Sequence, residues 1–149
     1  GSVTITDDRM TRLWLSLDQG VQFVIDCIEQ MEGGEVFVPK IPSTKVIDLA
    51  TAIVPNAKVN IIGIRPGEKL HEDLISDDEA RHTIELDRMY VIQPAEATWF
   101  GYSWKDQGKP LPEGFTYTSD NNSEWLDVEG IKEFVAPFEE LFKQGKLEG

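Results

Sequence analysis

The chain has one cysteine, Cys27, and two histidines, His71 and His82. A single thiol excludes an intrachain disulfide framework and fits a reducing, cytoplasmic setting. Cys27 falls on the apolar face of an expected helix, where a cysteine acts as a small buried hydrophobe and not as a nucleophile. The two histidines stand well apart with no further His or Cys beside them, so the spacing of a zinc site is missing. No apolar run approaches the roughly 20 residues that span a bilayer, which excludes a membrane helix. Gly1-Ser2 reads as the scar of a cleaved tag, with no charged-then-apolar leader behind it.

Basic residues are scarce: 14 Lys and Arg stand against 27 Asp and Glu, a formal net charge of −13. Without a basic stripe, nucleic acid is not an expected partner. Net charge bears on solubility and steering, however, and a local cationic pocket on an acidic domain can still hold a diphosphate. Arg9, Arg12 and Arg65 flank the ends of expected elements, whereas most of the acid follows residue 70. Also absent are a Gly-x-Gly-x-x-Gly loop, a Walker A loop and a Gly-x-Ser-x-Gly elbow. Asp77-Asp78-Glu79 lacks the glycine and alternating ligands of a calcium loop and suits the N-terminus of a helix. By residues alone, no catalytic constellation is visible.

What is present is an ordinary globular composition, 40% hydrophobic and 28% charged, enough for one domain or a large piece of one. Val3 to Asp8 reads as a short extended entry, Val-Thr-Ile-Thr, ending in an Asp-Asp turn. Arg9 to Trp14 leads into a helix with Asp18 as its N-cap and Val21, Phe23, Val24, Cys27, Ile28 and Met31 at helical spacing. Gly33-Gly34 stops that helix before the short strand Glu35 to Val38. Ser43 or Thr44 is expected to cap a second helix through Ile53, followed by a strand from Val59 to Ile64. This alternation predicts parallel strands joined by a right-handed crossover, in a sheet too small to stand alone. Further on, the sequence predicts a short helix at Leu70 to Leu74 and a Ser76/Glu79 capping box. Extended segments are expected at 83–86 and 89–92, as one strand interrupted by Asp87-Arg88. The loop from Pro94 to Pro112 carries Trp99, Phe100, Tyr102 and Trp104; its aromatics are expected to pack on the domain, with a lid as the lesser reading. Phe115 to Thr118 reads as a strand. Asp127 caps a last helix that Pro137 kinks or divides, before the chain frays from Gln144.

The chain is organised around Ile61-Ile62-Gly63-Ile64-Arg65-Pro66-Gly67-Glu68, an apolar run that reads as a buried strand ending in a turn. Pro66 fixes φ and Gly67 permits φ > 0. The turn presents Arg65 and Glu68 together, a guanidinium and a carboxylate suited to a ligand with both an anion and hydroxyls. An exposed loop with an incidental ion pair accounts for the same residues. Arg12 could join Arg65 on one anion, since Arg suits bidentate phosphate contact. Equally, Arg12 could be a helix-entry residue paired with Asp7 or Asp8.

Several blocks together resemble the carboxyl-terminal part of inverting UDP-N-acetylglucosamine 4,6-dehydratases, within the extended short-chain dehydrogenase/reductases. They are Thr6-Asp7-Asp8-Arg9-Met10-Thr11-Arg12-Leu13-Trp14, Glu35 to Ser43, Ile62 to Glu72, Leu74-Ile75-Ser76 with Asp78 to Arg81, Phe115 to Asn121, and Trp125-Leu126. The blocks occur in the family's order and cover nearly the whole chain. The resemblance implies a role in surface-glycan or flagellin sugar synthesis, such as the pseudaminic acid pathway. It implies that Arg12 and Arg65 contact the diphosphate of a UDP-sugar, that Glu68 bonds the ribose hydroxyls, and that Thr11 lies beside the first contact. It also implies that the NADP-binding glycine loop and the catalytic Asp, Lys and Tyr-x-x-x-Lys motif belong upstream and are not in this sequence. The expectation is an α/β (α+β) substrate-binding fragment of residues 3–149 without the main Rossmann sheet, a cofactor of its own or independent activity. Residues from about 15 to 54 would pack on the missing Rossmann domain or drive self-association through exposed apolar area. A UDP-sugar epimerase fragment is the alternative within the family; a non-catalytic interaction module is the alternative outside it.

Overall fold

A computed structural model of the chain describes residues 1–94 and 103–143, with side chains described up to residue 140. Trp99, Phe100 and Tyr102, the fraying from Gln144, and the side chains of Leu141 and Phe142 lie outside the described residues. In chain order the elements are strands β1 (Ser2–Ile5) and β2 (Thr11–Leu13), helix α1 (Leu17–Gln30), strands β3 (Val36–Pro39) and β4 (Ser43–Lys45), and helix α2 (Val46–Ile53). Strands β5 (Lys58–Ile61) and β6 (Asp73–Ile75) follow, then the single-turn helix α3 (Asp77–Ala80). Strands β7 (Thr83–Glu85), β8 (Met89–Ile92), β9 (Lys109–Pro110) and β10 (Tyr117–Thr118) precede helix α4 (Val128–Lys143). This is a mixed α/β chain of short strands in small sheets; a large parallel sheet is not found among the described residues.

The chain divides into two units. The first takes residues 1–13 and 42–72 and the chain from Asn122 onward. In it β1 pairs in parallel with β5, and β2 pairs antiparallel with β4 in the register Arg12 to Thr44. Helix α4 packs on α2 and places Ile131 in the core at 0% exposure. Asp127 caps α4 as expected, its Oδ1 accepting from the Gly130 N–H at 2.8 Å. The helix continues through Pro137 undivided.

Several sequence expectations for this unit fail for a common reason: tertiary pairing outweighs local propensity. Residues 11–13, expected to lead into a helix, form β2. Ser43 and Thr44 are strand residues and not caps; Ser43 Oγ accepts from Asn122 Nδ2 at 3.0 Å, and the N-cap of α2 is Lys45, without a side-chain capping bond. No helix forms at 70–74, where His71 and Glu72 engage β2 instead. The run before the Arg65 turn is not buried: Ile61 and Ile62 are each 55% exposed. Its strand has β1 as its one partner among the described residues.

The second unit takes residues 14–41 and 73–121. Its four-stranded sheet has the order β3-β8-β7-β9 and is antiparallel throughout. The predicted parallel crossover is therefore absent: β3 and β5 belong to separate sheets, and β3 pairs antiparallel with β8. Segments 83–86 and 89–92 form a hairpin and not one broken strand, closed by the Leu86 N–H to Met89 carbonyl bond at 2.9 Å. Ile84, Val91 and Trp104 form a buried cluster, with Phe37 meeting the Trp104 ring edge-on at 5.6 Å. Of the loop's aromatics, Trp104 thus packs on the domain as expected. The capping box at Ser76 and Glu79 forms as read from the sequence.

Helix α1 begins slightly earlier than expected. Ser16, not Asp18, is its N-cap, in a reciprocal box with Gln19, while Asp18 sits in the first turn where the helix dipole favours an acid. The apolar residues recur as expected, but Leu17, Val21, Val24, Ile28 and Met31 are exposed, Leu17 at 80%. Cys27 is half-buried, and burial raises its thiol pKa, which disfavours the thiolate.

Candidate functional site

All four residues singled out in the sequence, Thr11, Arg12, Arg65 and Glu68, fall in the first unit. The turn begins at Arg65 and is closed by the Glu68 N–H donating to the Arg65 carbonyl at 3.0 Å. Glu68 returns the contact through its side chain: Oε2 accepts from the Arg65 N–H at 3.2 Å. Gly67 has φ +82°, a conformation that disfavours any side chain with a Cβ. The Arg65–Glu68 contact is therefore a backbone-to-carboxylate bond and not the incidental ion pair of an exposed loop. The Arg65 guanidinium is exposed and makes no ion pair among the described residues.

Glu68 Oε1 is held by a second group, the Thr6 hydroxyl at 3.3 Å, which comes from the end of β1. An ionised carboxylate has about four acceptor positions. Two are taken, so the carboxylate is oriented and still has capacity for hydroxyl donors.

Arg12 does not pair with Asp7 or Asp8. Asp7 is taken by Arg9, with Nη2 at 2.8 Å and Nε at 2.9 Å, and this bidentate bond lowers the Asp7 pKa to about 2. The Arg12 guanidinium instead donates to main-chain carbonyls. Nη1 reaches Thr11 at 2.6 Å and Leu70 at 3.1 Å, and Nη2 reaches Lys69 at 3.1 Å. Three of its five N–H groups are used in this way, leaving Nε–H and one Nη2–H. Arg12 is thus tied to the chain immediately after the Arg65–Glu68 turn.

Thr11, carried into the set as a neighbour of Arg12, is buried. Its hydroxyl lies 2.8 Å from His71 Nδ1. Thr6, His71 and Glu72 were not singled out as site residues in the sequence. The contacts that tie them to the site, Thr6 to Glu68, His71 to Thr11 and Glu72 to Leu13, each join residues roughly 60 positions apart, a separation at which helical and strand periodicity carry no signal. The folding of residues 5–13 against residues 62–72 discloses them.

Residues 1–94 match the family described as "Polysaccharide biosynthesis protein". The chain belongs to that family. Among its curated relatives, the chain is 44% identical over 137 residues to a UDP-N-acetylglucosamine 4,6-dehydratase (inverting) of Campylobacter jejuni, an alignment covering 88% of this chain and 41% of the relative. It is 32% identical over 139 residues to a UDP-glucose 4-epimerase of Rickettsia bellii, covering 89% and 40%. Among solved structures, the X-ray structure of Pen from Bacillus thuringiensis matches with a TM-score of 0.75 at 27% identity, covering 92% of this chain and 40% of that one. The chain therefore spans about two fifths of the length of these curated relatives. No helix among its described residues is long and apolar enough to cross a membrane.

Proposed function

We propose that this chain forms the UDP-binding region of a nucleotide-sugar 4,6-dehydratase of polysaccharide biosynthesis, acting on a UDP-N-acetylhexosamine. The observation that carries the reading is the Arg65–Glu68 turn itself, whose exposed guanidinium and doubly anchored carboxylate belong to one four-residue turn. Arg65 supplies charge and a planar fork to the diphosphate. Glu68 accepts from the ribose hydroxyls through its remaining acceptor positions. Arg12 adds positive charge beside the turn and offers its two remaining N–H groups to the same anion, with Thr11 holding its neighbourhood.

The higher identity to the inverting dehydratase than to the epimerase, 44% against 32%, supports this choice of sugar nucleotide. The residues do not fit NADP: the sequence holds no Gly-x-Gly-x-x-Gly loop to cradle a pyrophosphate and no Tyr-x-x-x-Lys pair. No hydride or proton transfer is assigned to them, and UDP binding is the whole of their proposed contribution.

Isothermal titration of the chain with UDP, UDP-N-acetylglucosamine and UDP-glucose tests this. Saturable binding of UDP is expected, weakened about tenfold or more by Arg65→Ala, the equivalent of about 1.4 kcal/mol. Tighter binding of UDP-glucose than of UDP-N-acetylglucosamine would transfer the reading to an epimerase. No heat at millimolar UDP, the scale of about 4 kcal/mol of binding free energy, would leave a protein-interaction module as the better account.

A further inference from the structure

Strand β2 is bonded along both edges. In an antiparallel ladder alternate N–H groups point to opposite sides, so those of Thr11 and Leu13 share a side. Thr11 N–H donates to the Leu70 carbonyl at 3.0 Å. Leu13 N–H donates to the Glu72 carboxylate, Oε2, at 2.7 Å. A side chain thus completes a main-chain ladder, with a charge-assisted bond of the stronger kind. Between these two rungs the Thr11 hydroxyl meets His71 Nδ1.

The other foot of the turn stands on the same stretch of chain. Ile62 N–H donates to the Ile5 carbonyl at 3.1 Å, and Thr6 bonds Glu68. Between the feet, residues 63–67 are all exposed. Gly63 and Gly67 both have positive φ, and a Cβ added at either would meet nothing within 4 Å. The arm that carries Arg65 therefore has almost no packing of its own. Its conformation depends on where residues 5–13 hold its two ends.

We propose that Glu72 and Thr11 are positioning residues, which keep the Arg65–Glu68 turn in the conformation that receives the UDP diphosphate. This rests on the reading of the turn as the UDP site. The physical link is population: if the foot at 70–72 detaches, the turn samples many conformations, and affinity falls by the fraction that remains competent. Neither residue touches the nucleotide in this account.

The test uses Glu72→Leu, which removes the acceptor, and Glu72→Gln, which keeps a carbonyl oxygen for the Leu13 N–H. Thr11→Val and Thr11→Ser form a second pair, in case Glu72→Leu compromises folding. Two readings are taken on each chain well below its melting temperature: UDP affinity by titration, and hydrogen exchange of the Glu68 amide without ligand. Loss of the tie is expected to speed exchange and to weaken UDP binding about tenfold in the first member of each pair. The conservative variants, Glu72→Gln and Thr11→Ser, are expected within about twofold of the parent. Unchanged exchange in both Glu72→Leu and Thr11→Val overturns the proposal, as does faster exchange with unchanged UDP affinity. If the parent chain fails to bind UDP while exchange responds as expected, the tie to the turn stands and the UDP reading falls.

Discussion

The Arg12 guanidinium donates to the Leu70 carbonyl at 3.1 Å, joining β2 to the segment that follows the Arg65–Glu68 turn. With its bonds to the Thr11 and Lys69 carbonyls, this makes Arg12 a structural brace as well as a source of charge. A direct consequence is that its replacement should affect the unliganded protein.

Arg12→Ala is expected to lower stability by about 1–2 kcal/mol, because several carbonyls lose a charged donor. Arg12→Lys should recover little, since one ammonium on a flexible stem cannot reproduce a planar fork spread over several carbonyls. Urea denaturation of the two variants checks this. An Arg12→Lys chain as stable as the parent would show that charge and not geometry matters at this position.

Two glycines should respond to alanine in different ways. At Gly67 the space is open and the cost is conformational, since φ is +82°; Gly67→Ala should cost about 1 kcal/mol. At Gly108 the added Cβ would stand 2.3 Å from the Glu85 carbonyl oxygen and 2.6 Å from Ile84 Cγ2. The obstructing backbone cannot move aside as a flexible side chain would, so Gly108→Ala should cost about 2 kcal/mol or more. Thermal melts of both variants would rank them.

Glu35 governs an acid-dependent part of the second unit's stability. Burial raises its pKa, but backbone N–H groups at Glu32, Glu35 and Gly33 and the Trp104 indole together outweigh burial, and the net shift is downward from 4.5. A carboxylate whose folded pKa is depressed contributes stability above its ordinary pKa and loses that contribution as pH falls through the folded value. Stability should therefore decline as pH drops below 4.5, reported by Trp104 fluorescence as the Glu35 Oε1 to indole bond at 3.1 Å is released. Glu35→Gln should flatten that acid limb, because the amide does not titrate. An unchanged limb in Glu35→Gln would assign the acid sensitivity to other carboxylates.

How much of this was legible in the sequence depends on the range of the interaction. The Ser76/Glu79 box, the Asp127 cap and the amphipathic periods of α1 and α4 were readable because each joins residues within one or two helical turns. The turn at Arg65 was readable because Pro66 and Gly67 restrict and permit φ locally. The family was readable because ordered blocks along the chain act together, where no single motif would suffice. Misreadings clustered where strands formed. Residues 11–13, 43–45 and 73–75 are three-residue strands, too short for a period of two to register, and their partners lie far away in sequence.

The sequence by itself therefore determined the turn at Arg65, the caps at Ser76 and Asp127, the helical stripes and membership of the polysaccharide biosynthesis family, all matters of residue type and near-neighbour spacing. Only the tertiary structure decided that Arg12 braces the turn, that Thr6 orients the Glu68 carboxylate, and that Glu72 finishes a strand's ladder. Those bonds exist because two stretches of chain, residues 5–13 and 62–72, are folded against one another. Hydrogen bonding of that kind depends on position to a few tenths of an ångström, which composition and periodicity do not encode.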